Sequence, residues 1–120
     1  IPQQGSAPIN QDAIKTSAGA LLRLPVCRIN NLKTFVNTIK AHDIKIYSAS
    51  EKANALYTQI NANEPLMLVM GSEESGVSPT MLKMSDELVK IPMKGEIESL
   101  NVSAAASILL FEVVRQRLGI

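Results

Sequence analysis

Residues 65–79, PLMLVMGSEESGVSP, and residues 87–117, ELVKIPMKGEIESLNVSAAASILLFEVVRQR, decide the reading of the fold. Each contains a short apolar run, Leu66 to Met70 and Leu88 to Pro92, of the length of a strand. Leu66 to Met70 is unbroken by polar residues, which predicts a strand buried on both faces. Each run ends in a loop of Gly, Ser, Glu and Asn. Ser78-Pro79 starts a short helix to about Met84, with a cap residue followed by proline at the first helical position. Ser99 or Asn101 starts the longest helix, which runs to about Leu118 and stops at Gly119. That helix is apolar nearly all round as far as Glu112, which predicts that it is mostly buried. Ligands of α/β proteins bind where loops leave the carboxyl ends of parallel strands. Two such loops so close in sequence predict one shared pocket.

Outward from this stretch, the pattern of alternating strands and helices continues. Asn10 or Asp12 caps a helix in which Ala13, Ile14, Ser17, Ala18, Leu21 and Leu22 follow helical spacing, and Pro25 ends it. Gly19 costs about 1 kcal/mol inside a helix relative to Ala, so close packing is its expected motive. Val26 to Ile29 is a short strand candidate. Asn30 or Asn31 caps a helix carrying the stripe Leu32, Phe35, Val36, Ile39. His42-Asp43 turns the chain into a strand from Ile44 to Tyr47, and Ser48 to Glu64 carries only a weak stripe at Leu56 and Ile60. Strands alternating with helices predict an α/β fold with a parallel sheet flanked by helices.

Composition bounds what such a fold can do. At 120 residues, 46% apolar and 19% charged, the chain has enough material for one folded domain. Aromatics are 3%, so Leu, Ile, Val, Ala and Met must build the core, and few rings remain for base stacking. A formal net charge of +1 supplies no strong global field towards nucleic acid. RNA contact therefore requires a local basic patch, a further domain or a second subunit. Cys27 is the single cysteine, which excludes an intrachain disulfide or CxxC metal site, and it reads as a core residue. No metal site is expected. No apolar run reaches the ~18–20 residues of a membrane span, there is no signal-peptide pattern, and a reducing cytoplasmic setting fits. The chain starts at Ile1-Pro2 without an initiator methionine, as part of a longer protein would.

The chemistry-bearing residues each have a structural alternative. Gly71 either makes a tight turn or lets a ligand approach the backbone. Glu73 can accept hydrogen bonds from a ligand or orient a basic partner. The loop lacks the Gly-Lys-Ser/Thr ending of a phosphate-binding P-loop. Ser99 and Asn101 sit at a helix N-terminus and either cap it or face a ligand. The small run Ser103 to Ser107 suits close packing on another element or subunit. Arg115 and Arg117 suit the helix C-terminal dipole, or RNA phosphates. His42 reads as a solvated turn residue, and Met67, Met70, Met81, Met84 and Met93 read as core filler.

The spelling of the two loops is more specific than their pattern. VMGSEESGVS (69–78) and IPMKGEIESLNVSAAA (91–106) closely resemble the second and third motifs of the TrmH/SpoU branch of the SPOUT RNA methyltransferases. SAPINQDAIKTSAGALLRLPVCRINNL (6–32) is similar to the segment preceding those motifs. The resemblance implies an α/β fold whose C-terminal part forms a deep trefoil knot. It implies a homodimer that binds S-adenosyl-L-methionine in the knot loops and moves its methyl group to a ribose 2′-hydroxyl of rRNA or tRNA. Gly71, Ile91 and Leu100 match positions that hold the cofactor, and Met93 lines the same pocket. Glu73, Ser99 and Asn101 match polar positions of the active site. The family's first motif, Asn-x-Gly followed by a catalytic Arg, is absent from the chain, and neither Arg23 nor Arg28 stands in its context. On that reading residues 1–120 are one catalytic-domain fragment, without its first strand and helix and without any substrate-binding domain. A non-catalytic RNA-binding or dimerisation module is the alternative. An unrelated flavodoxin-like nucleotide binder is a third reading, resting on strand–helix alternation alone.

Overall fold

The computed structural model describes residues 1–97 and 99–120; Glu98, within the second loop, lies outside them. The chain divides into two compact units, 1–35 and 36–120.

The first unit holds α1 (Gln11–Thr16) and a 3-10 turn over Ala20–Arg23. Asn10 caps α1 by accepting from the Ala13 amide at 3.0 Å. The predicted single helix to Leu22 is instead broken at Ala18 and Gly19, both with positive φ. Gly19, at φ +82, is there for the reversal between the two helical turns and not for packing inside a helix. Val26 to Ile29 forms no named strand. Only Ile29 makes a parallel bridge, to Pro2, with the Ile29 amide donating to the Ile1 carbonyl at 2.9 Å and the Gln3 amide to the Ile29 carbonyl at 2.8 Å. Cys27 is exposed, contrary to its reading as core, because this extended segment lies on the surface of the unit. Helix α2 (Leu32–Ala41) follows, with the Thr34 amide donating to Asn31 at 3.0 Å.

The second unit is built on a four-stranded parallel sheet in the order β2-β4-β1-β3, from β1 (Lys45–Ala49), β2 (Ala55–Leu56), β3 (Leu66–Val69) and β4 (Glu87–Lys90). Tyr47 pairs with Leu68 on one side and Glu87 on the other, which sets the three main strands in register. On one face, Tyr47 and Val89 pack with Ile60, Ala62, Leu109 and Val113. On the other, reached by the pleat alternation, Ile46 and Ser48 are fully buried. There the Ser48 hydroxyl meets that of Ser85, the C-cap of α3 (Pro79–Met84), at 2.6 Å. Leu66–Val69 is only half-buried, whereas burial on both faces was expected: β3 is an edge strand, with β1 on one side only.

Helix α4 (Val102–Leu118) is capped by Asn101 and closed by Gly119 in the left-handed conformation. It is not mostly buried. Leu109, Glu112 and Val113 are buried, but Leu110, Phe111, Val114 and Leu118 on the opposite side are 46–65% exposed. The uniform apolarity of its sequence reflects two apolar faces, of which the chain covers one.

Candidate functional site

Two loops and a turn meet at the carboxyl ends of β3, β4 and β1. The first loop leaves β3 and closes on itself. The Ser72 amide donates to the Gly76 carbonyl at 3.2 Å, and the Gly76 amide returns a bond to Ser72 at 2.9 Å. Inside, the Ser72 hydroxyl accepts from the Ser75 amide at 3.2 Å. Gly71 stands where the two ends cross. A Cβ there would lie 2.1 Å from the Gly76 carbonyl carbon and 2.2 Å from the Val77 nitrogen, a distance no side chain can occupy. Gly76, at φ +68, makes the reversal that closes the loop. Glu73 is carried exposed at the tip.

The second loop leaves β4 through Ile91 and ends at Asn101. Asn101 has two roles at once. Its Oδ1 accepts from the Ser103 amide at 2.9 Å, satisfying a free N–H of α4. Its Nδ2 donates to Glu73 Oε1 at 2.9 Å. Because an amide N–H can only donate, the cap fixes the side chain with its nitrogen towards Glu73. Between Ser99 and Asn101, the residue that caps α4 is therefore Asn101.

Between the loops lies a cavity of about 560 Å³, within the range of ~300–1,000 Å³ typical of small-molecule sites. Gly71, Glu73, Ile91 and Met93 line it. So do Ser99, Leu100 and Asn101, so every site residue read from the sequence faces one space. Sequence reasoning missed the third wall, Ala49 at the end of β1 with Ser50 and Glu51 beyond it, which lay in the least patterned stretch. The Ser50 amide ties this turn to the Val89 carbonyl of β4 at 3.0 Å. The signal for it was topological: a parallel β1 must end at the same side of the sheet as β3 and β4. Leu109 and Ala105 of α4 complete the lining.

Three carboxylates, Glu51, Glu73 and Glu74, stand against one ammonium, Lys90, in that lining. The cavity thus favours a cationic ligand over a phosphate. No arginine lines it among the described residues. Arg115 instead binds Glu112 through Nε at 2.8 Å and through a second nitrogen at 2.9 Å. Arg117 donates from Nε to the Ala62 carbonyl at 2.9 Å. His42 is exposed, with Nδ1 donating to the Thr38 carbonyl at 2.8 Å. Among the described residues no cluster of His, Cys, Asp or Glu could hold a metal ion, and no helix is long and apolar enough to cross a membrane.

Comparison with known proteins gives concordant matches. The 23S rRNA (guanosine-2'-O-)-methyltransferase RlmB of Xanthomonas axonopodis pv. citri (strain 306) is 42% identical over 119 residues, which are 99% of this chain and 48% of that protein. The chain thus spans about half the length of such relatives. Among solved structures, the SpoU methyltransferase AviRb from Streptomyces viridochromogenes, in complex with AdoMet, superposes with a TM-score of 0.90 at 26% identity, covering 100% of this chain and 49% of its own. The A. aeolicus TrmH/SpoU tRNA modifying enzyme superposes at 0.81 with 28% identity, covering 98% of this chain and 58% of its own. A family model described as the SpoU rRNA Methylase family matches residues 1–111, and the chain belongs to that family.

Proposed function

We propose that this chain is the cofactor-binding part of a catalytic domain that uses S-adenosylmethionine to methylate a ribose 2′-hydroxyl of rRNA or tRNA. The observation that carries the reading is the Asn101–Glu73 hydrogen bond at 2.9 Å, which joins the two loops beside one cavity. The residues present fit the cofactor. The volume suits a nucleoside-sized ligand, the side-chain-free Gly71 lets the first loop close beside the cavity, and the excess of carboxylates suits a sulfonium cation. The AdoMet complex of AviRb supports the same reading.

In this proposal Gly71, Ile91, Met93 and Leu100 hold the cofactor, largely through backbone and apolar contacts. Glu73, Ser99 and Asn101 form the polar side of the site. When bound, the cofactor supplies a methyl group on positively charged sulfur. The protein contributes alignment, which removes an entropic cost from a two-reactant step. Asn101 holds Glu73 in place from a helix cap, so both loops must be formed before the polar side is complete. A ribose hydroxyl is a weak nucleophile and needs a base or an orienting cation. No arginine stands in the described lining, so in this proposal that group comes from outside it.

The C-terminal trefoil knot belongs to the same proposal. It is supported by β4 entering the sheet between β2 and β1, and by the Glu73 loop bonding to the start of α4. Homodimerisation is supported by the exposed apolar face of α4.

Calorimetry with S-adenosylhomocysteine on the purified chain tests the central claim. One-to-one binding is expected, and no binding by a chain with intact far-UV circular dichroism would overturn it. The missing arginine favours a second reading for the chain in isolation, as a module that binds cofactor without transferring methyl. Methyl transfer to RNA by residues 1–120 alone would exclude that reading.

A further inference from the structure

The near-zero net charge of the chain conceals a segregation. Residues 1–35 carry Lys15, Arg23, Arg28 and Lys33 against one carboxylate, Asp12. Residues 36–120 hold the excess of acid. All four cations of the first unit are exposed, and none is in an ion pair among the described residues. In the second unit Lys40, Lys45 and Arg115 each face a carboxylate within 4 Å, and ten carboxylates outnumber eight cations.

Fold stability does not explain this placement. Lys33 is the second residue of α2, where the helix dipole opposes a positive charge. Arg23 ends the 3-10 turn that follows the left-handed pair Ala18 and Gly19. Arg28 sits between Cys27, whose carbonyl accepts from the Ile1 amine at 2.7 Å, and Ile29, which is bonded on both sides of its backbone. The guanidinium groups are thus carried on pinned backbone. Beside them in sequence, Leu22, Leu24 and Val26 are 73%, 64% and 45% exposed, a mixture of cations and apolar side chains that suits phosphates beside sugars and bases.

We infer that the first unit carries an RNA-phosphate-binding surface, with Arg23 and Arg28 as its main contacts. The inference rests on the proposal that the chain acts on RNA. Positively charged side chains that displace counterions from a nucleic acid leave a measurable salt dependence, about 0.7 in log–log slope per phosphate for a single strand.

The test uses the full chain and a short fluorescein-labelled uridine oligonucleotide, titrated by fluorescence anisotropy at salt concentrations of about 50–200 mM. Arg23→Gln with Arg28→Gln should weaken binding about tenfold at the lowest salt and flatten the slope by about 1.4. Lys52→Gln with Lys83→Gln, an equal charge change on exposed residues of the second unit, should alter affinity less than about twofold. Equal losses in both pairs, an unchanged slope in the arginine pair, or no binding by the unsubstituted chain would overturn the inference. So would binding to phosphatidylserine vesicles with none to the oligonucleotide. S-adenosylhomocysteine affinity is measured on the same samples. If it persists while RNA binding is absent, the cavity proposal stands and the docking surface falls; if it is absent while RNA binding persists, the reverse holds.

Discussion

Gly71 is where the first loop meets its steric limit. A methyl group there would collide with backbone at 2.1 Å, and backbone does not yield as a flexible side chain does. Gly71→Ala should therefore open the Ser72–Gly76 closure and displace Glu73. We expect a loss of stability of about 1–3 kcal/mol and a loss of S-adenosylhomocysteine affinity of at least about tenfold, read by thermal melting and calorimetry. Full-affinity binding would show that the loop does not shape the cavity. Asn101 separates capping from site assembly. Asn101→Asp keeps an oxygen for the Ser103 amide and gains from the helix dipole, but places a second carboxylate against Glu73. Stability should change by less than about 1 kcal/mol while cofactor affinity falls about tenfold. If both stay unchanged, Asn101 is a cap and nothing more.

Helix α4 joins the site to the core and to what lies outside the chain. Its N-terminus borders the cavity, Leu109 and Val113 fill the core, and its last turns are anchored on the loop before β3. There Gln116 accepts from the Ala62 amide at 3.0 Å, and Arg117 donates to the same residue's carbonyl at 2.9 Å. Glu112 is buried behind this anchor. Hydrogen bonds from Arg115 first, and then Gln116, hold its carboxyl well below the usual 4.5, at about 2, against the opposing effect of burial. A folded-state value below the unfolded one means that the ionised form favours folding. That stabilisation is complete above about pH 5 and is lost as the pH falls from there through about 2. Glu112→Gln should lower stability by about 1–2 kcal/mol at neutral pH, and urea midpoints of the two proteins should converge towards pH 2. A constant gap would remove the carboxylate from the account. The outer face of the same helix carries Leu110, Phe111, Val114 and Leu118 in the open. Placing a charge there with Phe111→Glu should convert a dimer to monomers in sedimentation equilibrium while S-adenosylhomocysteine still binds. A monomeric parent chain would refute the dimer proposal at once.

What could be read in the sequence, and what could not, follows from the range of the forces involved. Caps, turns and apolar periodicity are local, so Ser78-Pro79, the α2 stripe and the Gly119 stop were all legible. The two loops were legible as a pair because both follow strands that run parallel. Strand order was not: nothing local tells Leu66–Val69 that only β1 will flank it, and an apolar run looks the same at an edge as in a centre. Nor does a helix with two apolar faces declare which of them its own chain will cover. The Ala49–Glu51 wall carries no local motif, and only the parallel direction of β1 beside β4 marks it. The coupling of these parts makes a further prediction. If cofactor occupies the cavity, its binding free energy is added to the folded state, about 2.7 kcal/mol at a hundredfold excess over Kd. For a chain of 120 residues that corresponds to a rise in melting temperature of about 8–13 °C. Amide hydrogen exchange should slow together in the Gly71–Gly76 loop, the Ala49–Glu51 turn and the start of α4, because all three border the same space. The 1–35 unit, which contributes nothing to that lining, should exchange as before. Slowing in one loop alone, with the other two walls unchanged, would mean that the ligand does not bridge them, and the shared cavity would lose its claim to be the site.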